Sequence, residues 1–180
     1  MPNEEFIEKL KNPNTKRAAF HELVKTYQEK LYWHIRRMVV DHDDADDVMQ
    51  NTLIKVWNNL DTFREESTLY TWLFRIATNE SLTFIAQKKR RNIFSSSTEN
   101  DYLINNLESN RYFDGPEIQR KLQKAILKLP DKQRIVFNMK YFEGMKYKDM
   151  SEILDTSVGA LKASFHYAVK KIEEEFKDED

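Results

Sequence analysis

Cysteine is absent from the 180 residues, which excludes disulfides and cysteine-ligated zinc. Glycine (3) and proline (4) are too few to punctuate a turn-rich β architecture, so an all-α fold is expected. No run nears the roughly 18–20 consecutive apolar residues of a membrane-crossing helix. Near the start, Glu4, Glu5 and Glu8 stand where a secretory leader would carry cations and an apolar stretch. A cytoplasmic protein without membrane insertion is therefore expected. An excess of charge of one sign is missing as well: a net charge of -1 argues against indiscriminate coating of nucleic acid. The chain also lacks a glycine-rich phosphate loop, a nucleophile elbow and a catalytic triad. No catalytic residue, cofactor or enzymatic activity is expected.

What remains is helical periodicity in two blocks. Apolar residues make up 40% and charged residues 33%, which suits helical domains with modest cores. Residues 14–91 read as amphipathic helices, with Asn14 a candidate cap for the first and a second starting near Asp43. The second has an apolar stripe of Ala45, Val48, Met49, Leu53, Val56, Trp57 and Leu60, expected to be buried. The third is expected from about Leu69 to Lys88. Residues 92–116 carry SSSTEN and Gly115-Pro116 with no sustained period, and read as a flexible linker. Residues 117–176 form four closely spaced helices: Glu117–Leu129, Pro130-Asp131 to about Gly144, Tyr147–Leu154, and Val158 to about Phe176. The last two, joined by a tight turn, make a helix-turn-helix pattern.

Two helices carry the chemistry. In the last, Val158, Leu161, Phe165, Ala168 and Ile172 step by three and four and should face inward. Gly159, Ala160, Ala163, His166, Tyr167 and Lys170 face outward, with Lys162 and Lys171 flanking and Ser157 as the cap. Small residues near its start permit close approach to a major groove, and cations further along can reach phosphates. In the third long helix, Tyr70, Trp72, Phe74 and Phe84 accompany Arg75, Lys88, Lys89, Arg90 and Arg91, against one acid, Glu80. Aromatic rings beside cations suit unstacked single-stranded bases, although most of these rings also fit a core. The run DHDDADD offers His42 and five carboxylates. Neighbours on one helix start diverge, so a dipole-stabilised terminus is the better reading and no metal is expected.

Three segments in order carry a resemblance. DADDVMQNTLIKVWNNLDTF, FREESTLYTWLFRIATNESLTFIAQKKRR and LQKAILKLPDKQRIVFNMKYFEGMKYKDMSEILDTSVGALKASFHYAVKKI resemble the extracytoplasmic-function sigma factors of bacterial RNA polymerase. They are similar to the second conserved helix, the promoter-melting segment and the C-terminal helix-turn-helix domain of that family, covering roughly residues 19–91 and 117–173.

The resemblance implies a sigma region 2 domain at 14–91, a linker at 92–116 and a sigma region 4 domain at 117–176. It implies a factor that binds core polymerase, directs it to promoters and assists melting. Asp47, Gln50, Asn51 and Ile54 would bind the beta-prime clamp helices. Phe63, Arg64, Ser67, Thr68, Arg75, Asn79, Lys88, Lys89, Arg90 and Arg91 would bind the single-stranded minus-ten element. Ser157, Gly159, Ala160, Lys162, Ala163, His166, Tyr167 and Lys170 would read the duplex minus-thirty-five element. The beta flap and an anti-sigma factor are further partners that the family implies, and the acidic linker (Glu99, Asp101, Glu108, Asp114) would thread the polymerase channel.

The pattern departs from the family's in places. Lys146 stands where a capping Ser is common, Asp155 where Gly is, and Ala160, Ala163, Ser164 and Tyr167 replace hydroxyls and arginines on the last helix. Competing readings are a helix-turn-helix regulator acting without polymerase, a metal-dependent hydrolase around His42, and a structural adaptor.

Overall fold

The computed structural model describes residues 4–92, 103–104, 107 and 116–177. Local chemistry explains where each helix begins and ends. α1 (Glu4–Lys11) precedes the expected start. α2 (Lys16–Val39) follows Thr15, which makes no capping bond; Asn14 does not cap it either, its amide donating instead to Asn12 Oδ1 at 3.0 Å. α3 (His42–Asn59) is capped by Asp41, whose Oδ1 accepts from the Asp44 amide at 3.0 Å. A 3-10 turn, Leu60–Thr62, leads to α4 (Leu69–Asn92), where Thr68 Oγ1 accepts from the Thr71 amide at 3.1 Å.

In the second half, α5 (Glu117–Lys128) stops because Leu129 is forced into extended backbone before Pro130, and α6 (Asp131–Tyr141) starts behind that proline. Gly144, at φ 61°, turns the chain into α7 (Tyr147–Leu154). Lys146 provides no side-chain cap there. Asp155 adopts the left-handed conformation (φ 48°) that ends α7, and Ser157 Oγ accepts from the Ala160 amide at 3.2 Å to open α8 (Val158–Lys177).

α2, α3 and α4 form one module around Leu23, Leu31, Ile35, Val48, Val56 and Leu73. α5, α6 and α8 close on Ala125, Ile126, Leu129, Phe137, Ala168 and Ile172. Two residues leave their expected places. Val158 and Trp57 are each 37% exposed; Trp57 stands edge-on to Phe20 at 5.1 Å with Lys16 Nζ 4.9 Å over its ring. Of residues 92–116, most lie outside the described residues. Leu103 and Leu107 are nonetheless buried, against Val40 of the first half and Leu127 of the second.

The modules are packed on one another. Ile135, Met139, Met150, Ile153 and Leu161 belong to the same apolar cluster as Leu31, Leu73 and Phe74, with α7 lying on α4 and α6 touching α2. Inside this seam sits a buried polar bridge. Thr78 Oγ1 donates to the Phe74 carbonyl (2.7 Å), so His34 Nε2 donates to Thr78 Oγ1 (2.8 Å). His34 Nδ1 then meets Glu143 Oε1 at 2.9 Å across the seam. Arg37 Nη1 lies 3.7 Å from the same oxygen, its guanidinium 5.0 Å from the Phe142 ring. Burial draws the Arg37 pKa down and Glu143 opposes that. Further out, Asp131 holds Lys89 at 2.7 Å and Arg134 at 2.9 Å.

Glu143→Ala strips His34 and Arg37 of their shared acceptor inside the seam. It should lower stability by about 1–3 kcal/mol in urea unfolding and enlarge the radius of gyration in X-ray scattering. Unchanged values for both would show that the bridge does not hold the modules together.

Candidate polymerase and nucleic-acid interfaces

The outer face of α3 is built by the same periodicity that buries Val48 and Val56. Asp47, Gln50, Asn51 and Ile54 are all exposed, Ile54 by 57%. Trp57, one turn further along, adds an aromatic surface to Ile54. The sequence placed it in the core because its spacing fits the buried stripe; Phe20 takes only one edge of the ring. An exposed apolar pair flanked by amides and an acid suits a helical protein partner.

The loop after α3 and the start of α4 form the second surface. Phe63 is only 5% exposed and lies 5.1 Å from Trp72, so its ring packs under the loop. Arg64 and Thr68 are exposed and Ser67 is half-buried. Thr68 also caps α4, so its hydroxyl is partly committed. Glu65 takes a left-handed backbone (φ 61°) between them. Residues 65–70 line a notch of about 720 Å³ with Ile7 and Tyr27, closed on its far side by Lys146, Lys148, Asp149 and Glu152 of the second module.

On α4, Arg75 and Asn79 share an exposed edge as their four-residue spacing requires. The Arg75 guanidinium donates to the Glu152 carbonyl of α7. Lys88 pairs with Asp44 at 2.9 Å and lies 5.4 Å over the Phe84 ring, and Lys89 pairs with Asp131. Arg90 and Arg91 are exposed. The structure thus distributes the cations of α4 between two neighbours, Lys88 toward α3 and Arg75 and Lys89 toward the second module.

The third surface is α8. Ser157, Gly159, Ala160, Lys162, Ala163, His166, Tyr167 and Lys170 are all exposed on one side, while Leu161, Ala168 and Ile172 are buried on the other. A Cβ at Gly159 would meet nothing within 4 Å, so this end of the helix is open to a large partner. Lys162 Nζ lies 5.8 Å over the ring of Tyr147 on α7. An eight-residue helix, a tight left-handed turn and a second helix with a small-residue start form a helix-turn-helix with its reading face outward.

Comparisons agree with this geometry. The family pattern described as Sigma-70 region 2 matches residues 23–91, and Sigma-70 region 4 matches residues 119–172. The RNA polymerase sigma-H factor of Pseudomonas aeruginosa is 30% identical over 179 residues, covering 95% of this chain and 92% of that protein. The ECF RNA polymerase sigma-E factor of Haemophilus influenzae is 30% identical over 184 residues, covering 96% of this chain and 94% of that one.

The chain belongs to the extracytoplasmic-function sigma factors.

Two solved structures share its fold. The sigma factor RpoE of Bartonella quintana, crystallised with the anti-sigma factor NepR, gives a TM-score of 0.69 at 23% identity, covering 88% of this chain and 96% of that one. CnrH, in complex with the cytosolic domain of CnrY, gives 0.71 at 20% identity, with 100% of both chains covered. As a sigma factor, the protein binds core RNA polymerase, directs it to specific promoters and assists their melting.

The acidic start of α3 in this sigma factor is a network of local partners. Asp41 caps the helix, Asp44 pairs with Lys88, and His42 Nδ1 meets the Tyr32 hydroxyl at 2.5 Å with Asp46 3.6 Å from Nε2. Among the described residues no group of three His, Cys, Asp or Glu converges as metal ligands, and no helix is long and apolar enough to cross a membrane. What sequence reasoning missed is the seam. Tyr70, read there as one of several aromatics, stands where the notch meets the second module.

Burial pushes the Tyr70 phenol up to about 12 from 10.0, with the carboxylates of Glu143 and Asp149 adding to it. A raised folded-state value stabilises the fold fully below pH 10; the contribution is lost as pH climbs from about 10 to about 12. Tyr70→Phe should therefore flatten part of the alkaline loss of stability, read as the denaturant midpoint across that window. On α8, Lys162→Ala and Lys170→Ala should each cut the salt slope of duplex binding by about one, uniformly across sequences. An unchanged slope would remove that lysine from the phosphate-contacting set.

Proposed function

We propose that this sigma factor divides promoter opening between its modules, residues 14–91 gripping polymerase and the melted minus-ten strand and residues 117–176 reading the duplex minus-thirty-five element. The observation that carries this reading is the outward face of α8, where all eight residues expected to meet duplex DNA are accessible together. Asp47, Gln50, Asn51 and Ile54, joined by Trp57, dock on the beta-prime clamp helices, and the second module meets the beta flap. Arg64, Ser67, Thr68, Arg75, Asn79, Lys88, Lys89, Arg90 and Arg91 take the displaced strand; Phe63 supports the loop from beneath.

No bond is made or broken. Capturing an extruded base offsets the few kcal/mol of unstacking, so binding energy moves the promoter toward its open form. The protein is no enzyme in this reading and works in the cytoplasm beside polymerase. Residues 92–116 connect the modules.

The closed pairing has a consequence for this cycle. The Glu152 carbonyl and Asp131 hold Arg75 and Lys89, two groups that the strand would use. α7 must leave α4 before the strand can replace it, so DNA and polymerase compete with the seam for the same side chains. A partner that favoured the closed form would silence the factor. An anti-sigma factor that bound the closed form would be such a partner; the Bartonella quintana sigma factor RpoE is crystallised with one.

The test is transcription from the host's promoters with purified chain and core polymerase, read by sequencing transcript starts. Specific starts are expected only when both are present. Arg75→Ala combined with Asn79→Ala should leave promoter binding in place and reduce permanganate reactivity of the minus-ten strand at least about tenfold, a loss of roughly 1.4 kcal/mol. Starts independent of the added chain, or full melting by the double variant, would refute the reading.

A further inference from the structure

The N-terminal helix lies ahead of the residues matched by sigma region 2, 23–91, yet it is fastened to the loop whose Arg64, Ser67 and Thr68 are proposed above to take the displaced strand and its extruded base. Leu10 is fully buried, and Phe6 and Ile7 pack against the same core. Thr15 Oγ1 donates to the Lys9 carbonyl at 2.8 Å and closes the end of α1. That anchored end presents Lys11 to the loop. Lys11 Nζ lies 2.7 Å from Glu65 Oε1, across 54 residues of chain, and 5.8 Å over the Phe63 ring. Lys16, at the start of α2, holds Asp61 at 2.9 Å. The stretch 61–65 is thus fastened at both ends to the segment 11–16.

The fastening has a physical purpose in the backbone. Glu65 occupies the left-handed region, which costs a residue bearing a Cβ and persists only where neighbours hold it. Immediately beyond it, Glu66, Ser67, Thr68 and Leu69 form one wall of the notch, with Ile7 of α1 and Tyr27 of α2 beside them. A base entering a wall already in place loses none of its binding energy to ordering the loop. A base entering a slack loop does, and discrimination between bases falls with it.

We propose that Lys11 is a positioning residue for base capture, holding Glu65 and hence the loop wall in its receptive conformation, with α1 as the rigid mount. This rests on the reading of residues 64–68 as the base-capturing loop. It adds a specificity determinant in the segment before the matched region.

The experiment uses the full chain with core polymerase and forked promoter probes, duplex upstream and single-stranded through the minus-ten element. Each single-stranded position is varied through the four bases, and the ratio of strongest to weakest binding is read. Lys11→Met should shrink that ratio at one position by about two- to fivefold, the range an exposed ion pair supports. Lys11→Glu should shrink it further, and the exchange Lys11→Glu with Glu65→Lys should restore it. Binding of a minus-thirty-five duplex probe and the thermal midpoint should stay at wild-type values, which a merely structural loss would not allow.

Unchanged ratios in Lys11→Glu overturn the proposal, as does a double exchange that restores nothing, or a parallel loss on the duplex probe. Wild-type protein with no base preference on any forked probe would instead refute the loop reading itself, and this inference with it. The two failures are therefore distinguishable.

Discussion

α4 is enclosed by α2 and α3 on one side and by α7 on another, and its hydroxyl residues make that enclosure possible. Thr71, Thr78 and Ser81 are fully buried, a pattern that would be costly for unpaired polar groups. Thr78 and Ser81 donate to the carbonyls four residues back, at 2.7 and 2.8 Å, and Thr71 shares a proton with Thr68. Each hydroxyl is satisfied within the helix or its cap, so neighbours can close over it without stranding a donor. With small, internally satisfied side chains between Phe74 and Ile85, α4 can receive helices from both modules. His34 then reads Thr78 as an acceptor, and that bond aligns the imidazole on Glu143.

From this arrangement follows the tension between the closed protein and its work. The edge of α4 that carries Arg75 and Asn79 borders the surface on which α7 lies. Seam contacts are of mixed strength: a buried apolar cluster and the buried contact of His34 with Glu143 at the centre, exposed or half-exposed ion pairs at the rim. Rim pairs of that kind contribute about 0–1 kcal/mol each and exchange readily for phosphates. The central bridge is the part that must be displaced as a unit. The outward face of α8 and the outer face of α3 point away from the seam, although Leu161 on the inner side of α8 belongs to it, so duplex DNA and polymerase can make first contact before α4 is free.

Charge works locally throughout. A chain with a net charge of -1 still places Arg90, Arg91, Lys162 and Lys170 on exposed surfaces, because its acids are gathered elsewhere. The aspartates at the start of α3 serve a cap, Lys88 and His42. They engage separate partners, since successive residues on a helix point about 100° apart.

Helix order, most helix boundaries and the inward face of α8 from Leu161 onward were legible in the residues alone. So was the Ser157 cap, because caps, turns and periodicity act over a few residues of chain. α1 was not: eight residues give too short a window for a period to declare itself. Nor could periodicity say that Trp57 and Val158 would stay partly outside or that Phe63 would be covered. Those outcomes depend on which helix arrives above a given face. The bridge from His34 to Glu143 spans 109 residues and the staple from Lys11 to Glu65 spans 54. Both are decided only when separate surfaces meet, where shape and the need to satisfy every buried proton select partners that no local rule can name.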